Sequence, residues 1–317
     1  VTNFHLEIAA DLLREEEIAL IGQMRPGLIQ LEIGVQSTNA RTLGEIRRGA
    51  DLERLTQAVL ALKETGTVHQ HLDLIAGLPY EDYGSFQRSF DGIFRLHPQK
   101  LQLGFLKVLK GTYMYENREA YGILHWQQPP YEVLGTRWMS YEELIWLHRV
   151  EEMLEVYCNS GQFEMTMKIL EQAFDSPFLL FWKLGDYYER QGLFQRKHTR
   201  MGRSEILLGF VKEEDVSHLE LYKETLTFDL YYRENMKSRP PWAMETCLFK
   251  EAVRRLGRER QNCHLEPFYY DFKMLLKNAQ PGYPERKQEW EFYCFSYEER
   301  DPLTGQAKVE KVSRKEP

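Results

Sequence analysis

The chain has 317 residues, a formal net charge of −7, 43% apolar and 28% charged residues. That length suggests about two domains with a real hydrophobic core, and the acidic balance argues against a nucleic-acid partner held by a basic surface. No apolar run approaches the roughly 20 residues of a membrane span, and residues 1–20 hold five acidic side chains and no cationic leader, so a cytoplasmic protein is expected. The four cysteines (Cys158, Cys247, Cys263, Cys294) are scattered without metal-ligand spacing and read as reduced thiols.

In chain order, Phe4–Ile8 reads as a strand and the acidic stretch 14–24 as a helix closed by Pro26-Gly27. The run LIQLEIGVQS (28–37) is a second strand. Asn39 is a plausible N-cap for a short helix ending at Arg47-Arg48, with Gly49 as its stop. Asp51 caps the next helix, in which Leu52, Leu55, Val59 and Leu62 form one apolar stripe and Gly66 ends it. VHQHLDLIAGLPYED (68–82) is a third strand and its loop. Ser85 opens a helix with Phe86, Phe90, Ile93 and Phe94 inward, and LQLGFL (101–106) is a fourth strand.

Alternation sorts these strands into two faces. Glu32, Gly34 and Gln36 share a face, as do His69, His71 and Asp73; His5 with Glu7, and Gln102 with Gly104, continue the pattern. Strands separated by helices favour a parallel sheet, whose strands are normally apolar on both faces. A polar face on neighbouring strands points to a lumen that binds something; an open sheet with one solvated face is the plainer reading. A complete eight-unit barrel needs about 250 residues, so this region holds part of one.

Beyond about residue 125 the pattern becomes helical. Ser140 and Glu143 form a capping box, followed by the stripe Leu144, Leu147, Val150, Leu154 and Tyr157. Phe163–Phe174, a helix opened by Ser176-Pro177, and segments near 203–213 and 218–236 follow. EWEFYCFSYEE (289–299), the DPLTG turn and QAKVEKV (306–312) read as a terminal β-hairpin. The expected fold is α/β, a partial (β/α) barrel over 1–124 followed by a mostly α-helical domain over 125–317 ending in a β-hairpin.

EIGVQS, Arg48 downstream, HLDLIAGLP and LQLGFLKVLKGT together resemble the second half of a radical S-adenosylmethionine (SAM) barrel. PPYEVLGTRWMSYEEL (129–144) and the helices after it resemble the C-terminal domain of the cobalamin-binding members of that group. The resemblance implies that Glu7, Gln36, Arg48 and Asp73 hold SAM. Arg48 would pair with the methionine carboxylate through a charge-assisted fork. Gln36 would reach the ribose or carboxylate, Asp73 the ribose hydroxyls, and Glu7 the ribose or the amine. It also implies a [4Fe–4S] cluster, cobalamin, an electron donor such as flavodoxin or ferredoxin, and a small-molecule substrate. The CxxxCxxC loop that binds the cluster is missing. In the family it precedes this region, as does the cobalamin domain, so the chain is expected to be the C-terminal part of an enzyme and inactive alone.

Each position has a plainer reading. Arg48 is placed as a helix-end cation, Gln36 and Asp73 as helix caps, and Glu7 as a solvated end residue. Two other functions compete: a metal-dependent barrel hydrolase using His69, His71 and Asp73, and a non-catalytic scaffold whose helices bind a partner.

Overall fold

The structure is a computed structural model that describes residues 2–49, 51–245, 247, 249–250, 263–277 and 282–312. It divides into two compact units, Val1–Asn159 with Ser176–Gly185, and Ser160–Asp175 with Asp186–Pro317.

The first unit is built on a four-stranded, all-parallel sheet in sequential order: β1 (Phe4–Ile8), β2 (Ile29–Gln36), β3 (His69–Ala76) and β4 (Lys100–Phe105). Between β1 and β2 lies α1 (Glu15–Gly22); between β2 and β3 lie α2 (Ala40–Glu45) and α3 (Leu52–Thr65); between β3 and β4 lies α4 (Tyr83–Phe94). This is the repeating unit of a (β/α) barrel, present here as a partial barrel. Leu31, Ile33 and Val35 of β2, Leu72, Leu74 and Ala76 of β3, and Leu101 and Leu103 of β4 are buried on one face. Leu55, Val59 and Leu62 of α3 and Phe86, Phe90, Ile93 and Phe94 of α4 complete that core. β1 is an edge strand, with Phe4 54% and Leu6 43% exposed.

The helix ends follow local chemistry. Asn39 caps α2 by accepting the N–H groups of Arg41 and Thr42, and Asp51 caps α3 through Glu53 and Arg54. Gly66 closes α3 with φ 64°, the left-handed geometry that glycine adopts without a Cβ penalty. Ser85 is not the cap of α4. Asp82 is, because a carboxylate accepting Ser85 N–H at 2.8 Å serves a helix that starts two residues earlier.

After β4 come a short turn of helix, α5 (Tyr113–Glu116), and a small hairpin of β5 (Leu124–His125) and β6 (Val133–Gly135), which the sequence pattern did not reveal. α6 (Tyr141–Leu154) opens with the Ser140–Glu143 capping box, and its stripe Leu144, Leu147, Val150 and Leu154 is buried.

In the second unit, α7 (Glu164–Leu170), the end of α8 (Pro177–Arg190), α9 (Arg200–Glu214) and α10 (Leu219–Arg233) accompany a three-stranded antiparallel sheet. The expected hairpin is present as β8 (Glu291–Arg300) and β9 (Ala307–Val312), but a further strand, β7 (Cys263–Phe268), pairs with β8. A third strand is what a solitary hairpin needs for stability. Phe228 of α10 stacks on Phe272 at 4.3 Å and meets Phe268 and Phe295 of the sheet. None of the four cysteines is in a disulfide, and no helix among the described residues is long and apolar enough to cross a membrane.

Asp229 of α10 is buried and accepts Met165 N–H at 2.8 Å, Thr166 N–H at 2.9 Å and the Thr166 hydroxyl at 2.7 Å, so it serves as the absent N-cap of α7. Asp229→Ala leaves the two N–H groups without their acceptor, while the Thr166 hydroxyl keeps Thr225 Oγ1 at 3.0 Å. It is expected to destabilise the second unit by about 2–4 kcal/mol, read as a shift of the denaturant midpoint; an unchanged midpoint would refute the cap.

Candidate functional site

The second face of the parallel sheet is polar, in rows set by the strand register. Glu7, Glu32, His71 and Lys100 are successive partners across β1 to β4, and one row further on Gly34, Asp73 and Gln102 stand side by side. The site lies at this second row, towards the carboxyl ends of the strands.

Gln36 ends β2 abruptly. Its φ is 69°, Ser37 N–H bonds back to Val35 O at 2.9 Å, and the register with β3 slips here. Those features define a γ-turn with a strained central residue, and the irregularity re-aims the side chain. The Gln36 amide folds back over Gly34. A Cβ on Gly34 would overlap Gln36 Nε2 and come within 3.1 Å of Arg48 Nη2, so the glycine makes the cradle in which both side chains meet.

Arg48 reaches that cradle from the end of α2. Arg47 adopts φ 57°, its N–H bonds to Gly44 O, and Arg48 N–H bonds to Leu43 O at 2.9 Å. This is a Schellman ending with an arginine where glycine is usual, and it corrects the expectation that Gly49 stops the helix. The turn directs Arg48, half-buried, so that Nη2 donates to Gly34 O at 2.6 Å. Arg47 is exposed and lies over the Tyr113 ring at 4.4 Å.

Asp73 is the Cα partner of Gly34 on β3. Burial first, then the fields of Glu32 and Glu7, push its carboxyl up to about 6. Among the described residues, Asp73 Oδ1 and Gln36 Oε1 are buried without a hydrogen-bond partner. Orphaned buried acceptors are uncommon in folded proteins. The site therefore combines one cation, two unfilled acceptors and a glycine-made space. Glu7 is on the same face but exposed, one row back and two strands from Asp73; the structure does not bring it into the cradle.

The histidines form a separate group. His69 and His71 rings meet edge-on at 4.8 Å, His5 Nε2 lies 3.1 Å from Glu32, and Gln30 Nε2 lies 3.4 Å from both His5 and His71. Burial, then His69, Lys100 and His5, push His71 down to about 4. Among the described residues no three His, Cys, Asp or Glu side chains are grouped to hold a metal.

Sequence reasoning missed Gly34 as the centre of the site, and it missed Glu81. Glu81 is fully buried in the loop after β3 and accepts the hydroxyls of Ser37 at 2.7 Å and Ser89 at 3.1 Å. The one available signal was a glutamate in a loop that follows an apolar strand, and nothing in its spacing marks it as buried.

Residues 119–286 match the family described as "Protein of unknown function (DUF4080)", and the chain belongs to that family. No curated protein matches the chain. Among solved structures, coproporphyrinogen III oxidase (HemN) from Escherichia coli, described as a radical SAM enzyme, is 23% identical over 34% of this chain and 24% of its own, with a TM-score of 0.29. Elp3 from the archaeon Methanocaldococcus infernus is 25% identical over 38% of this chain and 28% of its own, with a TM-score of 0.33. The chain thus spans about a quarter of the length of these structures. Overlaps of that size carry no functional argument, which must come from the site.

The raised carboxyl of Asp73 has a stability consequence. Its folded value of about 6 exceeds the ordinary 3.8, so the folded protein binds the extra proton and loses stability as pH rises from about 4 to 6. Asp73→Asn removes that loss. The variant is expected to match the wild type at pH 4 and to exceed it by on the order of 1–3 kcal/mol at pH 7, measured by urea unfolding at each pH. A constant difference across the range would exclude Asp73 as the titrating group.

Proposed function

We propose that the polar face of this sheet binds S-adenosylmethionine as one wall of a radical SAM barrel. The observation that supports this reading is the convergence of Gln36 and Arg48 over the missing Cβ of Gly34, beside Asp73, with two buried acceptors unfilled. SAM is a zwitterion with a cationic sulfonium. It needs a cation for its carboxylate and acceptors for its ribose hydroxyls and amine. In this reading Arg48 takes the carboxylate with its remaining donors, Asp73 accepts from the ribose, and Gln36 bonds the ribose or carboxylate. The segment 75–78 passes near the adenine, and Glu7 approaches the ribose or amine from the edge strand.

The chain's own residues do not fit the iron–sulfur cluster of such enzymes. None of its four cysteines stands in a CxxxCxxC loop, and no metal-holding group occurs among the described residues. The proposal is therefore confined to SAM binding. A cobalamin-linked enzyme of the cytoplasm, supplied with electrons by flavodoxin or ferredoxin and acting on a small molecule, is the fuller form of the reading and rests on motif resemblance alone. The competing hydrolase built on His69, His71 and Asp73 lacks a convergent ligand set.

Calorimetric titration of SAM into the protein tests the reading. Arg48→Ala is expected to weaken binding by about 1.5–3 kcal/mol, roughly ten- to a hundredfold. Gly34→Ala is expected to do the same by displacing Gln36. Absence of binding by the wild type, or variants that bind as tightly as the wild type, would overturn it.

A further inference from the structure

Gln36 occupies its γ-turn against the backbone preference of a non-glycine residue, so something outside the turn must hold it there. The residue after it supplies the hold. Ser37 is fully buried, donates its hydroxyl to Glu81 Oε1 at 2.7 Å and accepts Asn39 N–H at 2.9 Å. The same Glu81 oxygen accepts the Ser89 hydroxyl of α4, and Ser89 Oγ in turn takes Thr38 N–H at 3.1 Å and the Thr38 hydroxyl at 2.8 Å. Two further bonds tie the start of α2 to the loop after β3: Asn39 Nδ2 to Tyr80 O at 3.0 Å, and the Thr42 hydroxyl to Pro79 O at 2.9 Å. Glu81 is the node of this clasp, because one of its oxygens serves the residues on both sides.

We infer that Glu81 is a positioning residue that holds Gln36 in its strained turn over Gly34, acting through Ser37 and touching no ligand itself. For its ligand the inference rests on the SAM reading; for its geometry it does not. Its second oxygen, Oε2, has no partner among the described residues. Burial raises its carboxyl to about 7, the hydroxyls of Ser37, Ser89 and Ser85 pull it back, and Asp82 is the charged group whose field reaches it. The clasp uses one carboxyl oxygen only, so a glutamine keeps the acceptor and an alanine does not.

Two measurements on the full chain test this. In the ligand-free protein labelled with [13C]glutamine, the Gln36 Cα and Cβ shifts report its backbone conformation. The left-handed signature is expected in the wild type and Glu81→Gln, and its loss in Glu81→Ala and Ser37→Ala. The signature persisting in both alanine variants would overturn the inference, whether or not SAM binds. Where Glu81→Ala does not fold, Ser37→Ala alone decides, since it cuts the link and leaves the carboxylate in place. For SAM affinity, Ser37→Ala and Glu81→Ala are expected to lose roughly tenfold, and Glu81→Gln less than about threefold. In a Gln36→Ala background the alanine variants are expected to lose nothing further. Equal losses in both backgrounds would show a general structural effect and overturn the inference. A wild type that binds no SAM would instead remove the SAM reading and leave the shift measurement to judge the positioning role.

Discussion

A parallel strand buried on one face and polar on the other is a costly arrangement unless the polar face has something to meet. In this chain the arrangement runs across the whole sheet, because parallel pairing in near-perfect register stacks like with like. Leu31, Ile33 and Val35 face the helices, so Glu32 and Gly34 must face the other way, and the same period places His71 and Asp73 beside them. A one-residue slip of β2 would bury Glu32 on the helix-covered face and expose Leu31, Ile33 and Val35, which fixes the register. The site inherits its layout from that constraint, since Gly34 and Asp73 are neighbours only in this register.

The strand periodicity delivers the row, and backbone strain finishes the site. Gln36, Arg47 and Tyr80 each adopt positive φ without being glycine. They lie at the end of β2, after α2 and after β3, where Gln36 is turned over Gly34 and Arg47 turns the chain so that Arg48 points back to the strand. Such conformations persist only when their surroundings over-determine them. The buried Ser37–Glu81–Ser89 hydroxyl–carboxylate clasp, the Asn39 cap and the Schellman ending of α2 are the surroundings that do so. Gln36 and Arg47 are held in unfavourable backbone states by bonds made elsewhere, an arrangement found at preorganised sites.

This division explains what the sequence made legible. The strands, the polar face and the candidates Gln36, Arg48 and Asp73 follow from period two and from motif resemblance, and both are local in sequence. The caps Asn39, Asp51 and Ser140 were readable for the same reason. The errors fell where a competing local partner wins. Asp82 displaces Ser85 as the cap of α4 because the helix already begins at Tyr83, where the Asp82 carboxylate accepts the Ser85 N–H. Arg47 displaces Gly49 because the helix ends before the glycine is reached. Glu81, Gly34 as a cradle, and the pairing of β7 with β8 depend on contacts between residues far apart in the chain, and no periodicity encodes them. Alternation assigns the face of Glu7 but not its row, which register alone sets.

The second unit solves a different problem with the same device. Its helix α10 carries two carboxylates, one buried and one half-buried, that accept backbone N–H groups which local sequence leaves open. Asp229 does this for α7, whose preceding residue, Phe163, offers no capping side chain. Glu224, also on α10, accepts Tyr269 and Tyr270 N–H at 2.8 and 3.3 Å, just past the end of β7. Burial pushes both carboxyls up to about 7, so each is retained at a cost in desolvation. Five residues apart on one helix, the two acids tie down a helix start and a strand end, while Phe228 between them fills the aromatic core. The family match, over 119–286, contains this whole arrangement. A helix that carries its partners' caps makes those elements depend on one another, so α7, α10 and β7 should lose order together rather than singly.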